Sequence, residues 1–247
     1  MAEAAQARPA LSVVVPMRDE AENVRALVDE IAAALNGALS FEIVCVDDGS
    51  ADGTAEALKA ARLAHPRLRV LRHQRSFGQS AALLTGVRAA RAEWIATLDG
   101  DGQNPPAEIL RLIAARDRAA STNPALVAGY RAVRRDRWDK RLASRLANAL
   151  RRRLLRDGVR DSGCGLKLFR REAFLELPAF DHMHRYLPAL FARAGGAVIE
   201  VAVEHRSRRS GRSKYGIRNR LAVTLLDFIG VFWLLRRPLR PIVERGE

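Results

Sequence analysis

The sequence predicts an α/β protein with a mostly parallel central sheet, flanking helices and interfacial helices at the C-terminal end. Three observations carry that prediction. Short apolar, β-branched runs alternate with stretches of helical periodicity across brief connections, the pattern of parallel strands linked by crossover helices. Successive runs end in turns rich in Asp, Gly and Pro, which gathers polar chemistry at the edge where such sheets bind ligands. The chain has 247 residues, 48% of them hydrophobic, enough for one large domain or two small ones.

The elements follow in order. Residues 11–16 (LSVVVP) form a strand closed by proline. Residues 19–39 are helical, with Val24, Leu27, Val28, Ile31 and Leu35 on one face. The second strand, 41–46, runs into DDGSADGT and a helix over 55–65. Residues 68–71 are a third strand, 78–91 an Ala-rich helix and 94–98 a fourth strand. A further strand covers 126–131, another follows the small-residue turn 161–165, and the last covers 198–203.

The fourth strand leads into LDGDGQNPP, the stretch with most chemistry in it. Glycines alternating with Asp99 and Asp101 let the backbone turn tightly and aim both carboxylates at one point. Oxygen ligands so presented suit a hard divalent ion, Mg²⁺ or Mn²⁺. Turn chemistry alone also favours Asp and Gly here.

The net charge of +14 is segregated. Residues 1–129 hold 14 Lys and Arg against 16 Asp and Glu, whereas residues 130–247 hold 28 against 12. A basic half of this kind expects nucleic acid, an anionic membrane surface or a phosphate-bearing substrate. Residues 138–157 repeat leucine every fourth position (Leu142, Leu146, Leu150, Leu154) among arginines, which fits a helix on an anionic surface or one packed on the core. Residues 206–216 form a basic loop. Residues 221–235 are the most apolar segment, shorter than the ~20 residues needed to span a bilayer and interrupted by Asp227. Arginines on both sides suit a helix lying in or partly inserted into a membrane interface; a packed core helix is the alternative.

Cys45 and Cys164 show neither disulfide nor zinc spacing, so reduced thiols are expected, and residues 1–9 carry no leader-like apolar run. No GxGxxG or P-loop lysine motif is present, which argues against a dehydrogenase or an NTPase. No nucleic-acid motif accompanies the positive charge, and aromatic residues are sparse, so nucleic acid is not an expected partner.

The motifs VVVPMRDEAENV, VDDGSADGT, LDGDGQNPP, DSGCGLKLF and RSGRSKYG, in that order, resemble family 2 glycosyltransferases of the GT-A fold. The resemblance is greatest to the polyprenyl-phosphate branch, the dolichol-phosphate mannose synthase type. It implies that Pro16, Asp19, Glu20, Asp47, Asp48 and Asp99 bind a UDP- or GDP-linked sugar, and that Asp99, Asp101 and Gln103 hold the metal. It implies that Arg131, Lys140 or Arg141, and Ser144 bind the acceptor phosphate. Arg208 or Arg209, Ser213 and Lys214 are implied as a loop that closes over the diphosphate. Asp101, Asp161 and Arg131 are the expected catalytic residues; Asp161 orients donor or acceptor, or simply forms its turn. The segment 182–188, with His182 and His184, is expected to face the sugar or acceptor.

The implied organisation is a catalytic domain over 1–216 and a juxtamembrane segment over 217–247, working peripherally or monotopically at the cytoplasmic face of the inner or plasma membrane in envelope glycan synthesis. The implied reaction is inverting, metal-dependent transfer to a polyprenyl monophosphate. Two other readings compete: a family 2 transferase with a soluble or other acceptor, and a non-enzymatic module binding anionic membranes or nucleic acid.

Overall fold

In the computed structural model, residues 8–131, 155, 158–207 and 217–237 are described, those of 217–225 by backbone alone. The strands are β1 (Leu11–Met17), β2 (Phe41–Asp47), β3 (Leu68–Arg72), β4 (Trp94–Thr97), β5 (Leu126–Arg131), β6 (Lys167–Arg170) and β7 (Val198–Val203). The helices are α1 (Ala21–Leu35), α2 (Thr54–Ala64), α3 (Gln79–Ala89), α4 (Glu108–Arg118), α5 (Arg171–Leu175), α6 (Leu187–Arg193) and α7 (Ile217–Leu235).

All seven strands form one sheet in the order β3-β2-β1-β4-β6-β5-β7. The pairs β1–β2, β1–β4, β2–β3 and β5–β7 are parallel, while β6 runs antiparallel to both β4 and β5. The sheet is therefore mostly parallel, as expected, with one reversed strand that brings the 161–165 turn beside the end of β4.

Both faces of the sheet are covered, so its central strands read as continuous apolar runs. Alternation along β1 sends Val13 and Val15 into a core with α1, α2 and α4, and Val14 into a second core with α3, α5, α6 and α7. Helix α3 packs on β1 at Gly86, where a Cβ would stand 2.4 Å from Val14 Cγ1. Helix α1 starts at Ala21, not at residue 19, because Asp19 has φ +48°, outside the right-handed helical region. Cys45 is fully buried, and burial pushes its thiol up to about 12, the behaviour of an inert core residue.

Helix α7 has two apolar faces. Phe228, Val231, Phe232 and Leu235 pack on the second core, whereas Leu226, Ile229 and Trp233 are 70%, 55% and 58% exposed. Asp227 receives a 2.8 Å hydrogen bond from His182 Nδ1. Arg193 of α6 closes the helix end, donating from Nε to Leu234 O at 2.9 Å and from Nη2 to Arg237 O at 2.8 Å. Among the described residues, no helix is long and apolar enough to cross a membrane. The leucine-repeat segment 138–157, apart from Leu155, and most of the basic loop lie outside the described residues.

Candidate active site

Strand β1 lies between β2, its successor, and β4, so the crevice beyond the β1 and β4 carboxyl ends is the topological switch point of the sheet. A cavity of about 550 Å³ opens there, walled by Pro16, Asp99, Arg131, Asp161, Lys167 and the 181–187 segment among others.

The β1 and β2 loops are fastened to each other by their carboxylates. Asp19 Oδ1 accepts the Ala51 N–H at 2.8 Å, and the Asp19 N–H donates to Ser50 Oγ at 2.8 Å. Glu20 N–H donates to Thr54 Oγ1 at 2.8 Å, while its carboxylate accepts Asn23 Nδ2 at 2.6 Å. Asp47 accepts the Ser50 N–H at 2.9 Å and pairs with Arg72 Nε at 3.1 Å.

Asp48 holds the turn before α3. Its oxygens accept the Phe77 and Gly78 N–H groups, both at 2.9 Å, as well as Ser76 Oγ and His73 Nδ1, both at 2.7 Å. Burial pushes the Asp48 carboxyl up, but those four donors outweigh it and hold the group below the usual carboxylate range. The same turn presses on Gly49 (φ +65°), where a Cβ would lie 2.4 Å from the Arg75 carbonyl carbon.

The 99–103 turn supplies the acidic wall. Asp99 accepts Gln79 Nε2 at 2.9 Å and lies against Gly165, where an added Cβ would come within 2.2 Å of its Oδ2. Burial and then Asp101 push the Asp99 carboxyl up; Lys167, Gln79 and Arg131 pull it down without prevailing. Asp101 is buried and accepts the Gln103 N–H at 3.1 Å. Arg206, the first residue of the basic loop, grips this turn: its N–H donates to Gln103 O at 2.9 Å and its Nε to Gly102 O at 2.7 Å.

Two cations line the same cavity. Arg131 meets Asp161 through Nε at 2.6 Å and Nη2 at 3.0 Å, a two-pronged pair that fixes the guanidinium plane. Burial lowers the Arg131 pKa, but Asp161 more than offsets it and leaves it raised. Lys167 opens β6 opposite Thr97 and is 4% exposed; its Nζ donates to the carbonyls of Ser162, at 3.3 Å, and Cys164. Burial pulls the Lys167 pKa down, opposed by Cys164, Asp99 and Asp161. The third wall is His184, whose Nδ1 lies 2.7 Å from Ser80 Oγ; burial, Arg185, Lys167 and His182 push its pKa down to about 3, so the ring is neutral.

Of the residues singled out in the sequence, Pro16, Asp99, Arg131, Asp161, His182 and His184 share the cavity wall, while Asp47 and Asp48 are buried and, like Asp19, Glu20, Asp101 and Gln103, do not line it. Lys140, Arg141, Ser144, Arg208, Arg209, Ser213 and Lys214 lie outside the described residues. Arg18, Gln79 and Lys167 join the wall without having been assigned a role from the sequence, while Arg185 belongs to the 182–188 segment expected to face the sugar or acceptor. Lys167 had a readable signal: it is the one cation in Leu166-Lys167-Leu168-Phe169, and a charge in a buried strand needs a purpose.

The acidic turn fits a divalent ion. Two carboxylates repel each other at a buried site, and an Mg²⁺ or Mn²⁺ ion would relieve that repulsion. Among the described residues no three His, Cys, Asp or Glu side chains cluster as ligands, so substrate phosphates and water would complete the shell.

Residues 12–177 match the family model described as Glycosyl transferase family 2. A dodecaprenyl-phosphate galacturonate synthase from Rhizobium johnstonii is 36% identical over 236 residues, covering 94% of this chain and 69% of that protein. An undecaprenyl-phosphate 4-deoxy-4-formamido-L-arabinose transferase from Edwardsiella ictaluri is 35% identical over 242 residues, covering 96% and 71%. Among solved structures, glucosyl-3-phosphoglycerate synthase from Mycobacterium tuberculosis, in complex with Mn²⁺, UDP and glucosyl-3-phosphoglycerate, superposes with a TM-score of 0.68 at 21% identity, covering 94% of this chain and 82% of that one. A mannosyltransferase from Pyrobaculum calidifontis, in complex with GDP-Man and Mn²⁺, superposes with a TM-score of 0.65 at 23% identity, covering 96% and 67%. The two superpositions establish the fold as GT-A.

Proposed function

The chain belongs to glycosyl transferase family 2 and is a glycosyltransferase, and we propose that it transfers a sugar from a nucleoside diphosphate to a polyprenyl monophosphate at a membrane surface, with inversion. The carrying observation is the cavity at the switch point, whose wall the carboxylate of Asp99 shares with the cations Arg131 and Lys167, both of which act on it. Such a site takes a metal-bound diphosphate on one side and an anionic acceptor on the other. Relatives whose names specify polyprenyl-phosphate sugar transfer support the acceptor. Their sugars differ, one galacturonate and the other a formamido-arabinose, so membership alone does not fix the donor.

The acceptor phosphate is already an anion near neutral pH and needs no strong general base. Catalysis then rests on alignment and charge control. Arg131, held in plane by Asp161, orients the acceptor phosphate with Lys140 or Arg141 and Ser144. A phosphate oxygen forms the new bond to the anomeric carbon as the bond to the donor's β-phosphate oxygen breaks. The electron pair leaves with the nucleoside diphosphate, and a single displacement inverts the centre. Mg²⁺ or Mn²⁺ on Asp99, Asp101 and Gln103 would supply Lewis-acid stabilisation of the leaving diphosphate. Arg208 or Arg209, Ser213 and Lys214 would close over it, from a loop whose start Arg206 anchors to Gly102 and Gln103. Pro16, Asp19, Glu20, Asp47 and Asp48 shape the nucleotide side, Asp48 through the turn it holds.

The segment 217–247 is the membrane-facing part, working at the cytoplasmic leaflet. The exposed Leu226, Ile229 and Trp233 form one stripe of α7, followed by Arg236 and Arg237, as in a helix lying in the headgroup region.

The test is a donor screen: full-length protein with Mg²⁺ or Mn²⁺, a short polyprenyl phosphate, and UDP- and GDP-linked sugars. The expected outcome is one lipid-linked, anomerically inverted product, lost on chelation. Transfer only to a soluble phosphate-bearing acceptor would reject the lipid acceptor, and full activity after chelation would reject the metal.

A further inference from the structure

Among the described residues, the charges lining the cavity resolve into pairs, with one exception. Arg131 is bound to Asp161, and Lys167 faces Asp99. Asp181 lies 3.6 Å from His182 and accepts its N–H at 2.8 Å. Arg18 lies 3.8 Å from Asp19. Arg185 lines the cavity, half-buried; its backbone N–H donates to His182 O at 3.0 Å, but no hydrogen bond or ion pair ties its guanidinium to another described residue.

The surroundings of Arg185 are electropositive. Arg185, Lys167 and His182 all act on His184, in that order of lowering its pKa after burial. Ser80 Oγ accepts the His184 N–H at 3.2 Å and lies 2.7 Å from Nδ1; donating its own proton there leaves the neutral ring protonated at Nε2, a further donor. The wall continues to the donor side: Ser80 follows Gln79, which binds Asp99 at 2.9 Å. The unpaired cation therefore adjoins the diphosphate-and-sugar half of the cavity, while Arg131 and Asp161 mark the acceptor half.

An unpaired guanidinium that shares a cavity wall with a buried lysine recognises a planar oxyanion, and a carboxylate matches its fork. We propose that Arg185 reads a carboxylate on the transferred sugar, so that the donor is a nucleoside-diphosphate uronate. This rests on the transferase reading above and names its substrate class.

Calorimetry on the full chain with Mg²⁺ compares UDP-galacturonic acid with UDP-galactose, which differ only at the carboxylate. One charge-assisted pair predicts about 30-fold tighter binding of the uronate. In Arg185→Gln that ratio falls toward unity, and Arg185→Lys retains part of it. Equal binding, preference for the neutral sugar, binding of neither, or an unchanged ratio in Arg185→Gln overturns the proposal. Transfer to polyprenyl phosphate by the same protein separates the two ideas. Selective uronate binding without lipid transfer leaves the carboxylate site standing and rejects the lipid acceptor. Lipid transfer from both donors without preference does the reverse. A raised acceptor KM in Arg185→Gln, with the donor ratio unchanged, moves Arg185 to the acceptor phosphate and overturns the assignment.

Discussion

Asp99 carries an electrostatic load that a bound divalent ion would relieve. Burial and Asp101 raise its pKa, so the folded protein holds its proton more tightly than the unfolded chain does. Stability attributable to this group is therefore present at acid pH and is lost as pH rises through the raised value. Asp99→Asn removes the load, keeps an oxygen for Gln79, and is expected to raise Tm at neutral pH while abolishing transfer. A pH series of melting curves checks it: the gain should vanish in acid, and Mg²⁺ should raise the Tm of the native chain but not of the variant. A lower neutral Tm in the variant would reject this account. Gly165 tests the same carboxylate sterically, since a Cβ there would collide with it. Gly165→Ala is expected to cost about 1–3 kcal/mol in denaturant unfolding and about 100-fold or more in transfer, by displacing Asp99. At this scale the sequence was partly legible. Alternating Asp and Gly announced the turn because only turn chemistry and ligation favour that pattern. Nothing local announced that Asp48 would hold the 76–78 turn or that His182 would meet Asp227, because those partners stand 28–30 and 45 residues away.

At the scale of elements, hydrophobic period located β1, β2, β4, β5, β7 and the body of α1 almost to the residue, because each buries a stripe whose spacing shows in sequence. The reversal of β6 was not readable: a strand of four residues carries no pattern that tells its direction, which depends on how the preceding chain returns. That reversal matters, because it sets Lys167 opposite Thr97 and Gly165 against Asp99. Helix α7 was legible as apolar, but its sequence could not divide the core face from the exposed one. The division depends on Asp227 finding His182 and on Arg193 closing the helix end. A cation at a helix C-terminus offsets the unpaired carbonyls there. Arg193→Ala is expected to destabilise the protein by about 1 kcal/mol, read from denaturant unfolding. Faster amide exchange confined to the last turn of α7 would accompany it. An unchanged exchange pattern would mean that core packing alone holds that helix end.

At the scale of the whole molecule, the +14 charge and the exposed stripe of α7 make separable contributions to membrane binding. The charge term acts through solvent and is screened over about 10 Å at 0.1 M salt. The apolar term follows buried area, about 2 kcal/mol for each large side chain taken out of water, and salt does not weaken it. Replacing Leu226, Ile229 and Trp233 together by serine alters exposed side chains only, so the second core stays intact and melting should change little. The native chain is expected to bind anionic vesicles at low salt and to keep part of that binding at high salt. The triple variant should bind at low salt alone, with affinity falling steeply as salt rises. Neutral vesicles complete the comparison, since only the native chain has an apolar term to retain there. Sedimentation with vesicles across a salt series reads all of these at once. Residual high-salt binding by the triple variant would place the apolar contact elsewhere in the chain. Loss of all native binding at high salt would make the association purely electrostatic, and α7 would then be a core helix with an incidental apolar face.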